Sequence, residues 1–346
     1  MRESVEELFA DEDAWVVGGA VRDHALDRPI VDLDVALRDP ERAARRFAKR
    51  SGGAPFPLSE RHGAWRVALE GGRTVDFTPL PNGIEDDLAT RDFTINAIAE
   101  RVGTDESVDP YGGYGDLAAN RIRVVKDSVF EDDPLRLLRA VRLEDELPFD
   151  FRMVPETEEL VRRYASLVGR PAGERILAEL ERLSAPGYLR LDELGLLEPL
   201  GGAFTDRLER VDAPDYRLVA VFGQGLLRAL PISNQLRRYA RALFRAERPG
   251  EDPRSIHRFR RATEPWALDA LAFVGASELG GAVEESRRSD PAEPLLRGDE
   301  LGLPPGPEIG RLLAEIDEER AAGTIATKEE ALDYARRHAG AVQEDG

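Results

Sequence analysis

Asp32 and Asp34 sit two residues apart inside the run Ile30 to Leu37, which otherwise alternates in the manner of a β-strand. Residues i and i+2 of a strand project from the same face, so both carboxylates point the same way. Two carboxylates fixed that close repel each other unless a cation lies between them. A hard, oxygen-ligated ion such as Mg²⁺ suits the gap, above all where phosphate oxygens complete its shell.

Just upstream stands Gly18-Gly19-Ala20-Val21-Arg22-Asp23. A Gly-Gly pair entering a helix allows close backbone approach, and the free amides of a helix start favour an anion. Arg22, one turn in, can add a charge-assisted contact to phosphate. Asp76 lies in the strand-like run Thr74 to Thr78 between apolar neighbours, where an aspartate is disfavoured unless something holds it. Three carboxylates on neighbouring strands suit a two-metal nucleotidyl transfer, with Asp76 both ligand and candidate general base. The competing reading makes Asp76 a structural aspartate in a hairpin.

The rest of the chain divides by character. Up to about residue 126, short strand-like runs (Ala14 to Val17, Ile30 to Leu37, Trp65 to Leu69, Thr74 to Thr78) mix with helices such as Glu41 to Arg50. Gly71-Gly72 reads as a hairpin turn and Ile122 to Val125 as a last strand. Beyond, helical periodicity dominates: Asp133 to Leu143, Glu156 to Leu167, Ala172 to Leu183, Leu236 to Glu247, Glu308 to Ala321 and Lys328 to Arg337. Proline and glycine at Pro186-Gly187, Pro249-Gly250 and Pro304 to Pro307 punctuate them. The expected fold class is α+β: a head with a mixed sheet at 1–126, then an all-helical neck at 127–190 and body and tail at 191–346.

Composition sets the outer limits. The 346 residues contain no cysteine, which excludes disulfides, thiolate catalysis and cysteine-zinc sites. No apolar run approaches the ~20 residues of a membrane span, and no signal-peptide core follows Met1, so a cytoplasmic protein is expected. A net charge of −19 argues against a nucleic-acid partner until its distribution is examined. Between Tyr216 and Arg261 lie eleven arginines against three carboxylates. Arg237, Arg241 and Arg245 recur every four residues on one helix face. That face is either a solvated surface or an RNA-facing stripe.

Taken together, these motifs resemble the bacterial-type (class II) tRNA nucleotidyltransferase and poly(A) polymerase family. The likeness continues through Asp87-Leu88-Ala89-Thr90-Arg91-Asp92-Phe93-Thr94-Ile95-Asn96, Asp109-Pro110, Gly115-Asp116-Leu117 and Asp132-Asp133-Pro134-Leu135-Arg136-Leu137-Leu138-Arg139-Ala140-Val141-Arg142, covering residues 14 to 142. A weaker likeness returns between Leu296 and Gly310. The resemblance implies a polymerase-β-like nucleotidyltransferase head that uses Mg²⁺ at Asp32 and Asp34. It implies a triphosphate held by Gly18, Gly19, Arg22 and Arg91. It also implies that the Asp133 to Arg142 segment chooses the incoming base without a template. Asp133, Arg136, Arg139 and Arg142, spaced by threes, stay near one helix face. Asp133 can accept from an exocyclic amine and Arg136 can donate to the adjacent ring nitrogen. Cytosine and adenine present that edge, whereas guanine and uracil would be mispaired at a cost of about 2–5 kcal/mol.

The implied partners are CTP, ATP and the 3′ end and acceptor arm of tRNA, and the implied activity is CCA addition. Thr90 and Asp132 depart from the family's usual arginine and glutamate. The linker from Phe77 to Asp87 is shorter than in many members and resembles enzymes that add only the two cytidines, leaving adenosine to a separate A-adding enzyme. Poly(A) polymerase and a non-catalytic RNA-binding module are the further alternatives. None of the four histidines, His24, His62, His257 and His338, is followed by aspartate, so an appended His-Asp phosphohydrolase is not expected.

Overall fold

In the computed structural model, which describes residues 1–59, 63–226, 230–291 and 293–339, the alternating runs of the head pair into one seven-stranded sheet. Its strands are β1 (Trp15–Val17), β2 (Asp32–Leu37), β3 (Ala54–Ser59), β4 (Ala64–Ala68), β5 (Thr74–Pro79), β6 (Ala99–Arg101) and β7 (Ser107–Val108). They lie in the order β3-β4-β5-β2-β1-β6-β7. Only β2 and β5 run parallel; the other neighbours are antiparallel. Gly71 and Gly72, both at positive φ, close the β4–β5 hairpin. Pro55 and Pro57 hide β3 from a propensity reading, yet proline is tolerated on the edge strand it forms.

The two faces of the sheet have opposite chemistry. Leu33, Val35, Val75 and Phe77 are fully buried on one face. Helices α1 (Arg2–Phe9) and α3 (Pro40–Ser51) cover it, placing Phe9 and Phe47 each 5.8 Å from the Phe77 ring. On the other face Trp15, Val17, Ala36 and Ala99 pack with Leu88 and Ala97. That apolar cover stops short of Asp32 and Asp34. The head also contains α2 (Gly19–Ala25), α4 (Ile84–Ala89), which supplies Leu88 to that cluster, and α5 (Gly113–Ala118).

Helices α6 (Val129–Asp132), α7 (Arg136–Glu146), α8 (Pro155–Tyr164), α9 (Gly173–Leu180) and α10 (Ala185–Glu193) complete a first unit, Met1–Gly202. Three expectations need correction here. Ile122 to Val125 is no strand of the main sheet: β8 (Arg121–Ile122) pairs in parallel with β9 (Arg152–Met153), and Val124 only bridges Phe93. The left-handed turn at Asn120 redirects the chain, and the Asn120 carbonyl accepts from the Arg152 N–H at 3.0 Å. The helix expected from Asp133 begins at Arg136. Pro134 disfavours a helical conformation for the residue before it, and Asp133 is extended at φ −148, ψ 99. Pro186, read as punctuation, instead lies in the first turn of α10 behind the N-cap Ser184, where its missing N–H costs nothing.

The second unit, Ala203–Gly346, is helical: α11 (Pro214–Leu226), α12 (Asn234–Arg245), α13 (Pro253–Thr263), α14 (Ala267–Val274), α15 (Gly280–Arg288), α16 (Pro307–Ala321) and α17 (Lys328–His338). Its core holds edge-on ring pairs, Tyr216 and Phe244 against Phe273 and Tyr239 against Trp266. A smaller cluster of Leu296, Ile316, Ile325, Ala331 and Ala335 joins α16 to α17. Among the described residues, no helix is long and apolar enough to cross a membrane.

Candidate active site

The open end of the β2 face is the floor of a cleft of about 580 Å³, lined by Gly18, Gly19, Arg22, Asp32, Asp34, Arg91, Asp133, Arg136, Arg139 and Arg142 among others. Ten of the expected site residues therefore meet in one cavity of the first unit. Gly18 has φ +73, and a Cβ there would meet Arg91 Nη1 at 2.9 Å and Asp34 Oδ2 at 3.5 Å. Glycine is required on both counts, by backbone conformation and by space. Arg91 is aimed by Asp87, whose Oδ2 accepts from its Nε at 3.0 Å and Nη2 at 2.8 Å.

Asp34 and Asp76 are paired in register on parallel strands, and Arg66 continues the same row on β4. Burial pushes the Asp34 carboxyl up from its ordinary value, Arg91 pulls it down, and the crowding of Asp76 and Asp32 raises it again; the net direction is up. Such crowded like charge is what a divalent cation relieves, so the pair fits a magnesium ion. Asp32 is exposed, with Oδ1 accepting from the Thr74 hydroxyl at 2.7 Å. Asp76 is placed differently from its neighbours. Arg66 donates to both its oxygens, Nε and Nη2 each at 2.7 Å, and Asp76 is not among the lining residues. Among the described residues no three His, Cys, Asp or Glu side chains surround a single point. An ion on Asp32 and Asp34 would complete its shell with substrate oxygens, as magnesium commonly does.

Asp133 and Arg136 flank the opposite wall. Asp133 accepts from Arg175 Nη2 at 2.7 Å, and Arg136 Nη2 donates to the Thr90 carbonyl at 2.7 Å. Arg139 and Arg142 are committed to carboxylates rather than presented freely. Arg139 Nε donates to Asp92 Oδ2 at 2.8 Å, and Arg142 Nε to Glu179 Oε2 at 2.6 Å. Asn96 joins this network to the head: it accepts from Arg22 Nη1 at 2.7 Å and donates to Asp92 Oδ1 at 3.0 Å. Burial alone would raise the Asp92 carboxyl, but Arg139, Asn96 and the Phe93 N–H outweigh it and hold it below its ordinary value.

Sequence reasoning missed Asp92, Asn96, Arg175 and Glu179 as parts of the site. A signal was present for the first two: Asp92, Thr94 and Asn96 alternate with Phe93, Ile95 and Ala97, and all six are buried. Arg175 and Glu179 come from α9, more than thirty residues along the chain, and only folding brings them in.

Arg237, Arg241 and Arg245 lie in the second unit, exposed on α12 opposite its buried Leu236, Tyr239, Ala240 and Leu243. Arg241 Nε donates to the Arg237 carbonyl at 3.3 Å, and among the described residues none of the three meets a carboxylate. His24 is exposed, His257 is buried and His338 stacks on Tyr334, whereas His62 lies outside the described residues.

Comparison with known proteins identifies the family of the chain. Residues 14–81 and 70–123 match the family described as the poly A polymerase head domain. The A-adding tRNA nucleotidyltransferase of Deinococcus radiodurans is 34% identical over an alignment of 421 residues, spanning 94% of this chain and 95% of that protein. The CC-adding tRNA nucleotidyltransferase of Thermus thermophilus is 32% identical, spanning 94% and 93%. The fold is similar to that of the Thermotoga maritima CCA-adding enzyme solved with tRNA, with a TM-score of 0.72 at 22% identity over 97% of this chain and 93% of that one. The chain belongs to the bacterial-type tRNA nucleotidyltransferase family, a family of enzymes.

Proposed function

We propose that the protein adds C and A to the 3′ end of tRNA from CTP and ATP, without a template, in the cytoplasm. The observation that supports this reading is the single cleft joining a paired-carboxylate strand, a glycine-lined arginine pair and a wall carrying Asp133 and Arg136. Asp32 and Asp34 would hold magnesium. When bound, the ion supplies Lewis acidity, lowering the pKa of an attacking 3′-hydroxyl and offsetting charge on the triphosphate. Arg22 and Arg91 hold the triphosphate from the Gly18 side. The hydroxyl oxygen bonds to the α-phosphorus as the α–β bridging bond breaks and pyrophosphate leaves. A second ion, and proton transfer to Asp76, both require Arg66 to release that carboxylate. Asp133 and Arg136 meet the amine and ring nitrogen of the base once Arg175 yields its hold on Asp133.

A second reading, CC addition with a separate A-adding partner, is favoured by the short connection between β5 and α4, which leaves only residues 80–83 outside the two elements. Incubating the protein with tRNA that ends before CCA, and resolving product lengths, separates the readings. Two additions with CTP and a third with ATP present are expected. Arrest after two supports CC addition, and long tracts from ATP alone support poly(A) synthesis. Asp32→Ala and Asp34→Ala should each abolish incorporation while leaving tRNA binding intact. Retained incorporation in either variant would remove the metal-holding role.

A further inference from the structure

Two anionic chains must enter the cleft on the reading above, a triphosphate and an RNA end. Gly18, Gly19, Arg22 and Arg91 serve the first, and a second set of guanidinium groups is left over. Arg28 lies between α2 and β2, Arg142 on α7 and Arg182 just past α9, and all three converge on Glu146. Arg142 Nη1 is 2.8 Å from Glu146 Oε2, Arg182 Nη2 is 2.8 Å from Oε2 and 2.9 Å from Oε1, and Arg28 Nη2 is 3.7 Å from Oε1. All four residues line the cleft.

Glu146 is an unexpected residue for that point. It is the last residue of α7, where the helix dipole disfavours a negative charge. Burial also pushes its carboxyl up, and Arg142, Arg182 and, less strongly, Arg22 bring it below its ordinary value. The arginines therefore hold an anion that the helix itself repels. Guanidinium forks match carboxylate and phosphate equally well. The site is reachable, since the Arg182 side chain is 55% exposed and the Glu146 side chain 22%. Among the described residues, Arg182 has no other carboxylate partner.

We propose that Arg28, Arg142 and Arg182 form a second phosphate subsite in which Glu146 stands in for phosphate, and that a backbone phosphodiester near the RNA 3′ end displaces it. This rests on the nucleotidyltransferase reading. One anion replaces another, so the three arginines stay neutralised and the cleft is already shaped before RNA arrives. The same chemistry could accept a phosphate of the nucleotide, and the arms of the test distinguish the two sources.

The test uses the full chain as wild type, Glu146→Gln and Arg182→Ala. It measures the affinity for tRNA ending before CCA at several salt concentrations, and KM for CTP. Glu146→Gln should bind RNA several-fold more tightly with KM for CTP unchanged, a gain that a damaged fold cannot imitate. Arg182→Ala should bind RNA more weakly, its salt slope reduced by about 0.7–0.9 for the one phosphate it no longer neutralises. A shift in KM for CTP with RNA affinity unmoved would assign the subsite to the nucleotide and overturn the proposal. Unchanged or weaker RNA binding by Glu146→Gln would reduce Glu146 to a structural strut and overturn it too. A wild type that adds no nucleotide would remove the reading beneath it, and the subsite with it.

Discussion

At Asp133 and Arg136 each side chain has a partner that a nucleotide would have to replace. Arg175 holds Asp133, and the Thr90 carbonyl holds Arg136. Hydrogen-bonding groups of this kind discriminate strongly because the wrong base leaves them unpaired in a partly desolvated wall. On the proposed reading, Arg136→Ala would remove the donor to the ring nitrogen that cytosine and adenine share. Its predicted effect is a loss of selectivity for CTP and ATP over UTP and GTP of about 10- to 100-fold, larger than the loss in rate with CTP. Comparing kcat/KM for the four nucleotides checks this, and an equal fall for all of them would return Arg136 to a structural role.

Among the elements, α7 and the segment Arg91 to Asn96 are locked together by charge. The chain Arg22–Asn96–Asp92–Arg139 runs from the glycine motif to α7, and Glu179 of α9 adds Arg142. Asp92→Asn keeps the shape but removes the charge facing Arg139, whose side chain is 35% exposed. With that exposure discounted, the expected loss is about 2 kcal/mol at neutral pH, read as a fall in the thermal midpoint. The sign with pH follows from the direction of the shift. Asp92 lies below its ordinary 3.8 in the folded protein, so its contribution is fully present above that value and is lost as pH falls through the folded pKa. The stability gap between Asp92→Asn and the wild type should therefore narrow in acid. A gap that stays constant from neutral pH down to about 3 would show that the Asp92 charge contributes nothing.

For the whole molecule the question is how, on the proposed reading, a chain of net charge −19 would hold RNA. Most of its arginines are paired with carboxylates, but Arg237, Arg241 and Arg245 are exposed without such partners among the described residues. They are free to release counterions from phosphate without first breaking an ion pair. Replacing all three with alanine should weaken tRNA binding and flatten its dependence on salt, by a slope of about 0.7–0.9 for each phosphate no longer neutralised. Binding that is unchanged at every salt concentration would leave α12 an ordinary solvated helix.

Much of the site was legible before folding because its chemistry is local. Gly18, Gly19, Arg22, Asp32 and Asp34 lie within one strand–turn–helix–strand passage, and strand periodicity alone puts both aspartates on one face. The division into a mixed-sheet head and helical remainder followed from periodicity in the same way. Asp133 was misplaced on a helix although the reason was local too, in the proline that follows it. Other outcomes depended on residues far apart in the chain. Arg66 claims Asp76 because β4 and β5 pair in a register that sets them opposite each other. Arg28, Arg142 and Arg182 meet at Glu146 only when α7, α9 and the turn after α2 are packed together. Sequence by itself determined which groups could bind metal and phosphate, since that rests on side-chain chemistry and short spacing. Tertiary structure alone decided which of those charges remain available, because a carboxylate or guanidinium group is committed by whatever distant partner packing brings to it.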